Sequence, residues 1–292
     1  MKRSEFLKST FAGLVTMSSL TELRKLSEMF AKQDSKMPVY FVGHGNPMNA
    51  LEQNEFTKNW QAIGKSIPKP KAIVCVSAHW ETKGTFVTAM QKPKTIHDFG
   101  GFPKELSEFQ YPAPGSLEAA KETQSAIKTV KVGLDHDWGL DHGCWSIITH
   151  MFPNADVPVL QLSLDYTKPA QWHYELAKEL SVLRNKGILI LGSGNMVHNL
   201  GMASWGMQNS GFDWAVEANE TFKKLILADE HAKLAAYKEL GKAVQLSVPT
   251  PDHYLPLLYT LGLKEKNEQV SFFNDKAVLG AFTMTSVKIS AA

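Results

Sequence analysis

Gly187-Ile188-Leu189-Ile190-Leu191-Gly192-Ser193-Gly194-Asn195-Met196-Val197-His198-Asn199 is the stretch that decides how the rest of the chain is read. Four successive Ile and Leu residues leave no polar face, so residues 187–191 read as a central strand covered on both sides. Strands of that kind belong to parallel sheets with helices packed above and below. The Gly192-Ser193-Gly194 turn then stops the run and leads the chain to a histidine. In open α/β sheets, ligands bind outside the carboxyl ends of the strands.

The same arrangement recurs along the chain. Residues 39–42 run into Gly43-His44-Gly45-Asn46-Pro47, residues 72–77 lead to Ala78-His79-Trp80, and His253 stands in the turn Pro249-Thr250-Pro251-Asp252-His253-Tyr254. Further strands are predicted at 85–89, 157–164, 270–273 and 282–289. Helical patterns occupy 52–67, 116–129, 169–184, 214–227 and 231–240, with another from 253 through 261. This alternation predicts one α/β domain with a mostly parallel central sheet and helices on both faces. The turn-like Asn274-Asp275-Lys276 between the last two strands predicts an antiparallel edge.

With 292 residues, 43% of them hydrophobic, the chain holds enough material for one large core. A formal net charge of +2 gives no electrostatic reason to expect nucleic acid or an anionic membrane as partner. Of the two cysteines, Cys75 reads as a small core residue and Cys144 as a lining residue, with no disulfide framework.

Residues 1–36 differ from the rest. Met1-Lys2-Arg3 loosely resembles the start of a twin-arginine leader, but the apolar stretch 11–20 is interrupted by Thr16, Ser18 and Ser19, and no clear cleavage site follows. A degenerate leader, an appended amphipathic helix at 21–32, and a start at Met37 are three readings that stay open. The main domain is expected from 37 to 292. A cytoplasmic location is expected, with export through the leader as its alternative. No run approaches the roughly 20 apolar residues of a membrane span.

Imidazole is the commonest protein metal ligand and titrates near neutrality. One histidine alone is more often structural; four in strand-end loops can build a metal site or an acid–base site. Two irregular stretches accompany them. Residues 97–115 include His97-Asp98-Phe99-Gly100-Gly101-Phe102-Pro103 and Tyr111-Pro112-Ala113-Pro114-Gly115, and 135–143 ends in Asp141-His142-Gly143. Loops this long inside a domain usually serve function. His136, His150, His173 and His231 have no such company, and replacing each singly is expected to leave activity near normal.

Taken in order, the turn at His44, Ser77-Ala78-His79-Trp80, the His97–Pro103 motif, Asp141-His142-Gly143-Cys144-Trp145, Gly192-Ser193-Gly194 with His198-Asn199-Leu200, and the Pro249–Pro256 motif resemble the class III extradiol ring-cleavage dioxygenases, most closely their 4,5-DOPA branch. The resemblance implies that His44, His79 and His253 hold a divalent metal, with His198 beside it as a fourth ligand or as the acid–base residue, and His142 as a second proton-handling group. Where many relatives have two histidines and a carboxylate, the carboxylate position here is His253. Asp252 is adjacent, but its side chain is expected to point elsewhere. Phe99, Phe102 and Tyr111 are expected to wall a flat catechol pocket, and His97 to contact a polar substrate tail. The implied cofactor is Fe(II), since ring cleavage needs a redox-capable ion. Zn(II) is expected to occupy the site without supporting turnover.

The implied reaction opens an L-DOPA-like catechol with O2, in a monomer or small homo-oligomer. Two other functions compete. A zinc-dependent hydrolase would use the same histidines around a metal-bound water, although no H-E-x-x-H base is present. A non-enzymatic binding protein of the same fold would have an impaired site, although here every expected histidine is a histidine.

Overall fold

The apolar run at 188–191 takes the place its composition dictates, in the middle of a six-stranded sheet. In the computed structural model, which describes residues 28–33 and 35–291, the strands are β1 (Val39–Gly43), β2 (Ala72–Ser77), β3 (Val159–Gln161), β4 (Ile188–Gly194), β5 (Glu268–Phe273) and β6 (Ser286–Ala291). Their order is β3-β2-β4-β1-β6-β5. The first four are parallel, with Ala72 opposite Ile188 and Val39 opposite Ile190. The antiparallel edge expected from the sequence is made by β6 against β1 and by β5 against β6.

Both faces of the sheet are covered. Val39, Phe41, Val74, Val76, Ile188 and Ile190 pack into one apolar cluster, whereas Tyr40, Val42, Ile73, Cys75, Leu189 and Leu191 pack into the other. That is the alternation a pleated strand imposes. Against the second face lie α1 (Glu55–Ser66) and α2 (His142–Met151), through Phe56 and Trp60 and through Trp145, Ile147 and Ile148. Against the first lie α3 (Ala170–Glu179), α4 (Asp213–Leu227) and α5 (Leu255–Gly262), through Leu176, Phe222 and Leu258 among others.

Local chemistry sets the helix starts nearest the carboxyl ends of the strands. Asn54 caps α1 reciprocally with Thr57. Asp141 caps α2 by accepting the Cys144 N–H. The sequence reading takes Asp141-His142-Gly143 for a turn and expects no helix after it. The structure corrects this: the polar triplet is the start of a helix whose remaining residues are almost wholly buried.

Three strands also depart from expectation. Thr85–Thr88 leaves the main sheet and pairs with Val132–Asp135. The 157–164 run divides into β3 and Leu164–Asp165, the latter beside Glu81–Thr82. The 282–289 run divides into Phe282–Thr283 and β6.

Most of the 1–36 segment lies outside the described residues. Its described end packs on the domain: Phe30 joins the core, the Gln33 N–H donates to the Asn185 carbonyl at 2.7 Å, and Lys36 pairs with Glu265. Residue 37 is therefore not a clean structural edge. Among the described residues, no helix is long and apolar enough to cross a membrane.

Candidate metal centre

Close backbone approaches gather the histidines at the carboxyl ends of β1, β2 and β4. The His44 N–H donates to the Gly194 carbonyl at 3.1 Å, which keeps the ends of β1 and β4 together past their last ladder pair. The His253 carbonyl accepts from the Asn195 N–H at 3.0 Å. A Cβ on Gly194 would stand 2.1 Å from that carbonyl oxygen, so only glycine lets the His253 turn come this close. On the other side, a Cβ on Gly143 would stand 2.6 Å from Ser77 Oγ and 2.8 Å from His79 Cδ2. The start of α2 is thereby pressed against the end of β2.

Buried Asp141 ties this end of the sheet together. Its carboxylate accepts from the Ser77 hydroxyl at 2.7 Å, the Cys144 N–H at 3.1 Å and the Gln161 side-chain amide at 2.6 Å. One carboxylate thus joins β2, α2 and β3.

Each of His44, His79 and His253 offers a ring nitrogen within 4.8 Å of the other two. Their ring centroids are separated by 5.0, 5.2 and 4.9 Å. His44 and His79 face each other Nε2 to Nε2 at 3.2 Å. Tautomers follow from what the other nitrogens meet. The Ser193 hydroxyl donates its single proton to the Gly143 carbonyl at 2.5 Å, so at 3.0 Å it must accept from His44 Nδ1–H. His79 Nδ1 faces Asp98 Oδ2 at 3.4 Å, and His253 Nδ1 makes a short contact with Asp252 Oδ2. Ionised Asp252 only accepts, so His253 Nδ1 carries a proton as well.

His44 Nε2 is therefore an acceptor, and the carboxylates on the Nδ1 sides of His253 and His79 favour the tautomers that leave their Nε2 atoms as acceptors too. Two ligand nitrogens on one ion at about 2.1 Å and right angles lie roughly 3.0 Å apart, close to the spacing of the His44 and His79 atoms. Three imidazoles, each held through its far nitrogen, are the donor set a divalent transition metal takes.

Electrostatics agree. Burial, and then the neighbouring imidazoles, push His44 and His79 well below the ordinary histidine range, so both rings stay neutral with lone pairs available. Burial works against ionised Asp252, but the His253 contact outweighs it and holds the carboxyl well below its usual range. Asp98 behaves alike: burial opposes its charge, and the His142 contact wins and keeps its pKa low.

The remaining expected residues divide. His142 stands beside the trio, its ring 3.9 Å from that of His79. His198 lies flat on His253, with centroids 3.5 Å apart and planes 6° from parallel. An imidazole lone pair lies in the ring plane, so stacked rings cannot both aim theirs at one ion, and His198 stands outside the converging set. Burial first, then His253, lowers His198 to about 3. Phe99 meets the face of His142 edge-on at 5.6 Å and packs against Phe102 at 5.3 Å.

His97 directs Nε2 to the Phe109 carbonyl at 2.9 Å, which braces its own loop. Tyr111 is not at the mouth. It is buried in the core, and its hydroxyl donates to the Phe152 carbonyl at 2.7 Å. Cys144 is likewise wholly buried beside Cys75 and lines nothing.

Sequence reasoning missed Asp98 and Ser193, and it set Asp252 aside. Asp252 reaches its neighbour because the chain here is a turn, where the alternation of a strand does not apply. The signal for the other two was position: both lie in the motifs that carry the histidines.

Residues 38–283 match the family described as the catalytic LigB subunit of aromatic ring-opening dioxygenase. The 4,5-DOPA dioxygenase extradiol of Escherichia coli (strain K12) is 45% identical over 260 residues, 87% of this chain and 95% of that protein. Its namesake in Mirabilis jalapa is 32% identical over 241 residues, 80% of this chain and 90% of that protein. A crystal structure of an uncharacterised Escherichia coli K12 protein matches with a TM-score of 0.76 at 41% identity, covering 87% of this chain and 99% of that one.

Proposed function

The chain belongs to the family of the catalytic LigB subunit of aromatic ring-opening dioxygenases, and from that premise we propose that it opens an L-DOPA-like catechol beside its diol with O2, using Fe(II) held by His44, His79 and His253. It is an extradiol ring-cleaving enzyme, and the hydrolase and non-enzymatic readings give way to that membership. The observation that supports the metal assignment is the gathering of one ring nitrogen each from His44, His79 and His253 within 4.8 Å of one another, with Ser193, Asp98 and Asp252 on their Nδ1 sides.

When bound, a redox-capable ion supplies the electron path between catecholate and oxygen that Zn(II) cannot supply. The chain's own residues handle position and protons. His198 is neutral at working pH and takes the catechol hydroxyl proton on an imidazole nitrogen. Its basicity rises as the anionic substrate forms, because a nearby negative charge favours the protonated ring. His142 offers the substrate Nε2, the nitrogen turned away from Asp98. Phe99 and Phe102 provide an apolar wall for the flat ring. His97 borders that wall through its edge-on contact with Phe99. We read the enzyme as cytoplasmic and as a monomer or small homo-oligomer.

The test is anaerobic Fe(II) loading, a screen of catechols, and mass spectrometry under ¹⁸O₂. Both labelled atoms are expected in the opened ring. If the Fe(II) form leaves every catechol intact while a Zn(II) form hydrolyses esters or amides, the assignment is wrong.

A further inference from the structure

We propose that Asp98 is a positioning residue shared by two functions, one carboxylate that aims His79 at the metal and His142 at the substrate. The inference rests on the metal and dioxygenase reading above. Asp98 Oδ2 lies 3.4 Å from His79 Nδ1 and Oδ1 lies 2.9 Å from His142 Nδ1. Oδ1 also accepts the His142 backbone N–H at 3.0 Å, which pins the carboxylate to the first turn of α2. A helix N-terminus favours a negative group.

An ionised carboxylate facing both Nδ1 atoms favours the tautomers protonated there, which leave both Nε2 atoms as acceptors. Without Asp98, neither ring keeps a partner that separates one nitrogen from the other, and each can turn over or change tautomer. The effect extends into the pocket wall. Phe99 follows Asp98 and packs edge-on against His142, while Gly100 and Gly101 beyond it have open space where a side chain would be. The Asp98 anchor therefore sets where that wall begins.

The test uses the full-length protein with Asp98→Ala and Asp98→Asn. Zn(II) affinity, read on metal-free protein by competition with a chromophoric chelator, is expected to fall ~10–100-fold in Asp98→Ala, the usual cost of losing a ligand's outer partner. At saturating Fe(II), kcat is expected to fall by a further ~10–100-fold with KM for the catechol nearly unchanged. In a His142→Ala background that kcat penalty should shrink below about 3-fold while the affinity loss persists, because one arm of Asp98 then has nothing to hold.

Should Asp98→Ala fail to fold, the near-isosteric Asp98→Asn carries the same measurements. It places an amide N–H against one Nδ1–H and should lose at least one of the two effects. Zn(II) affinity and kcat both within about 2-fold of wild type, or kcat penalties of Asp98→Ala and His142→Ala that simply multiply, would overturn the proposal. So would a second equivalent of Zn(II) in the wild type that Asp98→Ala abolishes, since His79, Asp98 and His142 would then be binding an ion between them. The chelator competition needs no turnover. A failed dioxygenase assignment would therefore appear as an inactive wild type whose metal affinity still depends on Asp98.

Discussion

The carboxyl end of the sheet and the helices around it hold buried histidines alike. His44, His142 and His253 are 2%, 6% and 8% exposed, and His150, His173 and His231 are 6%, 0% and 8% exposed. Burial does not separate the two groups. Among the helices, each ring meets groups other than histidine: His173 Nδ1 lies 3.2 Å from the Tyr259 hydroxyl, His231 Nδ1 3.1 Å from the Tyr174 hydroxyl with Asp229 3.6 Å from its Nε2, and His150 Nε2 2.7 Å from the Asn49 carbonyl with the Gln61 amide 3.3 Å from its Nδ1. At the sheet end, the rings face one another and lean on carboxylates or a serine. A histidine whose second nitrogen is aimed at another histidine is arranged for something that binds both. A buried histidine whose partners are hydroxyls, amides, carbonyls or a surface carboxylate is arranged for packing.

Removing a member of the converging trio should have the largest effect. His253→Ala is expected to abolish stoichiometric metal, read by elemental analysis, and to lower O2 uptake at least ~10³-fold. Near-normal metal content in that variant would dissolve the contrast between the two groups. Next comes His198→Gln, which should keep its metal and lose ~10²–10⁴ in turnover, the span of a positioned acid or base. Complete metal loss there would move His198 into the ligand set. Ser193→Ala removes the acceptor behind His44 together with the donor to the Gly143 carbonyl, and should weaken metal binding by ~10-fold, read by chelator competition, with a smaller change in kcat.

His173→Gln should be the mildest for activity, with turnover within about 2-fold, and its effect should fall on stability. Burial holds His173 at about 4 in the fold against 6.5 in the unfolded chain. Between those values the unfolded chain binds the proton and the folded one does not. The stability linked to this group is therefore present above pH 6.5 and lost as pH falls toward 4. Wild-type Tm should drop more steeply across that window than the Tm of His173→Gln. Parallel Tm profiles would show that His173 is not the group responsible.

The strands of the main sheet were legible because each declares itself over several residues. The runs at 72–76 and 188–191 are apolar throughout, and a serine or glycine turn ends them. The histidine positions followed from those ends. What was not legible depends on direction within loops. Tyr111 shares a loop with Phe99 and Phe102 yet turns into the core to reach the Phe152 carbonyl. Asp252 and Asp98 turn toward imidazoles because their turns carry no periodicity from which to read a side. Helix α2 was hidden by its own cap, since Asp141-His142-Gly143 has the composition of a turn and only the Cys144 N–H contact shows it to be a helix start.

The sheet order also governs when the enzyme comes into being during synthesis. β1 is made first among the main strands, yet its two neighbours are β4 and β6, with Val39 beside Ile190 and Ile289. As the chain leaves the ribosome, β1 waits unpaired until β4 emerges, and its second edge stays open until the final strand arrives. Loop closure must be met before such distant pairings form, which slows folding. His253 emerges later still than β4, so on the proposed ligand set metal supplied early would meet an incomplete site, and ion capture would be one of the last events of maturation.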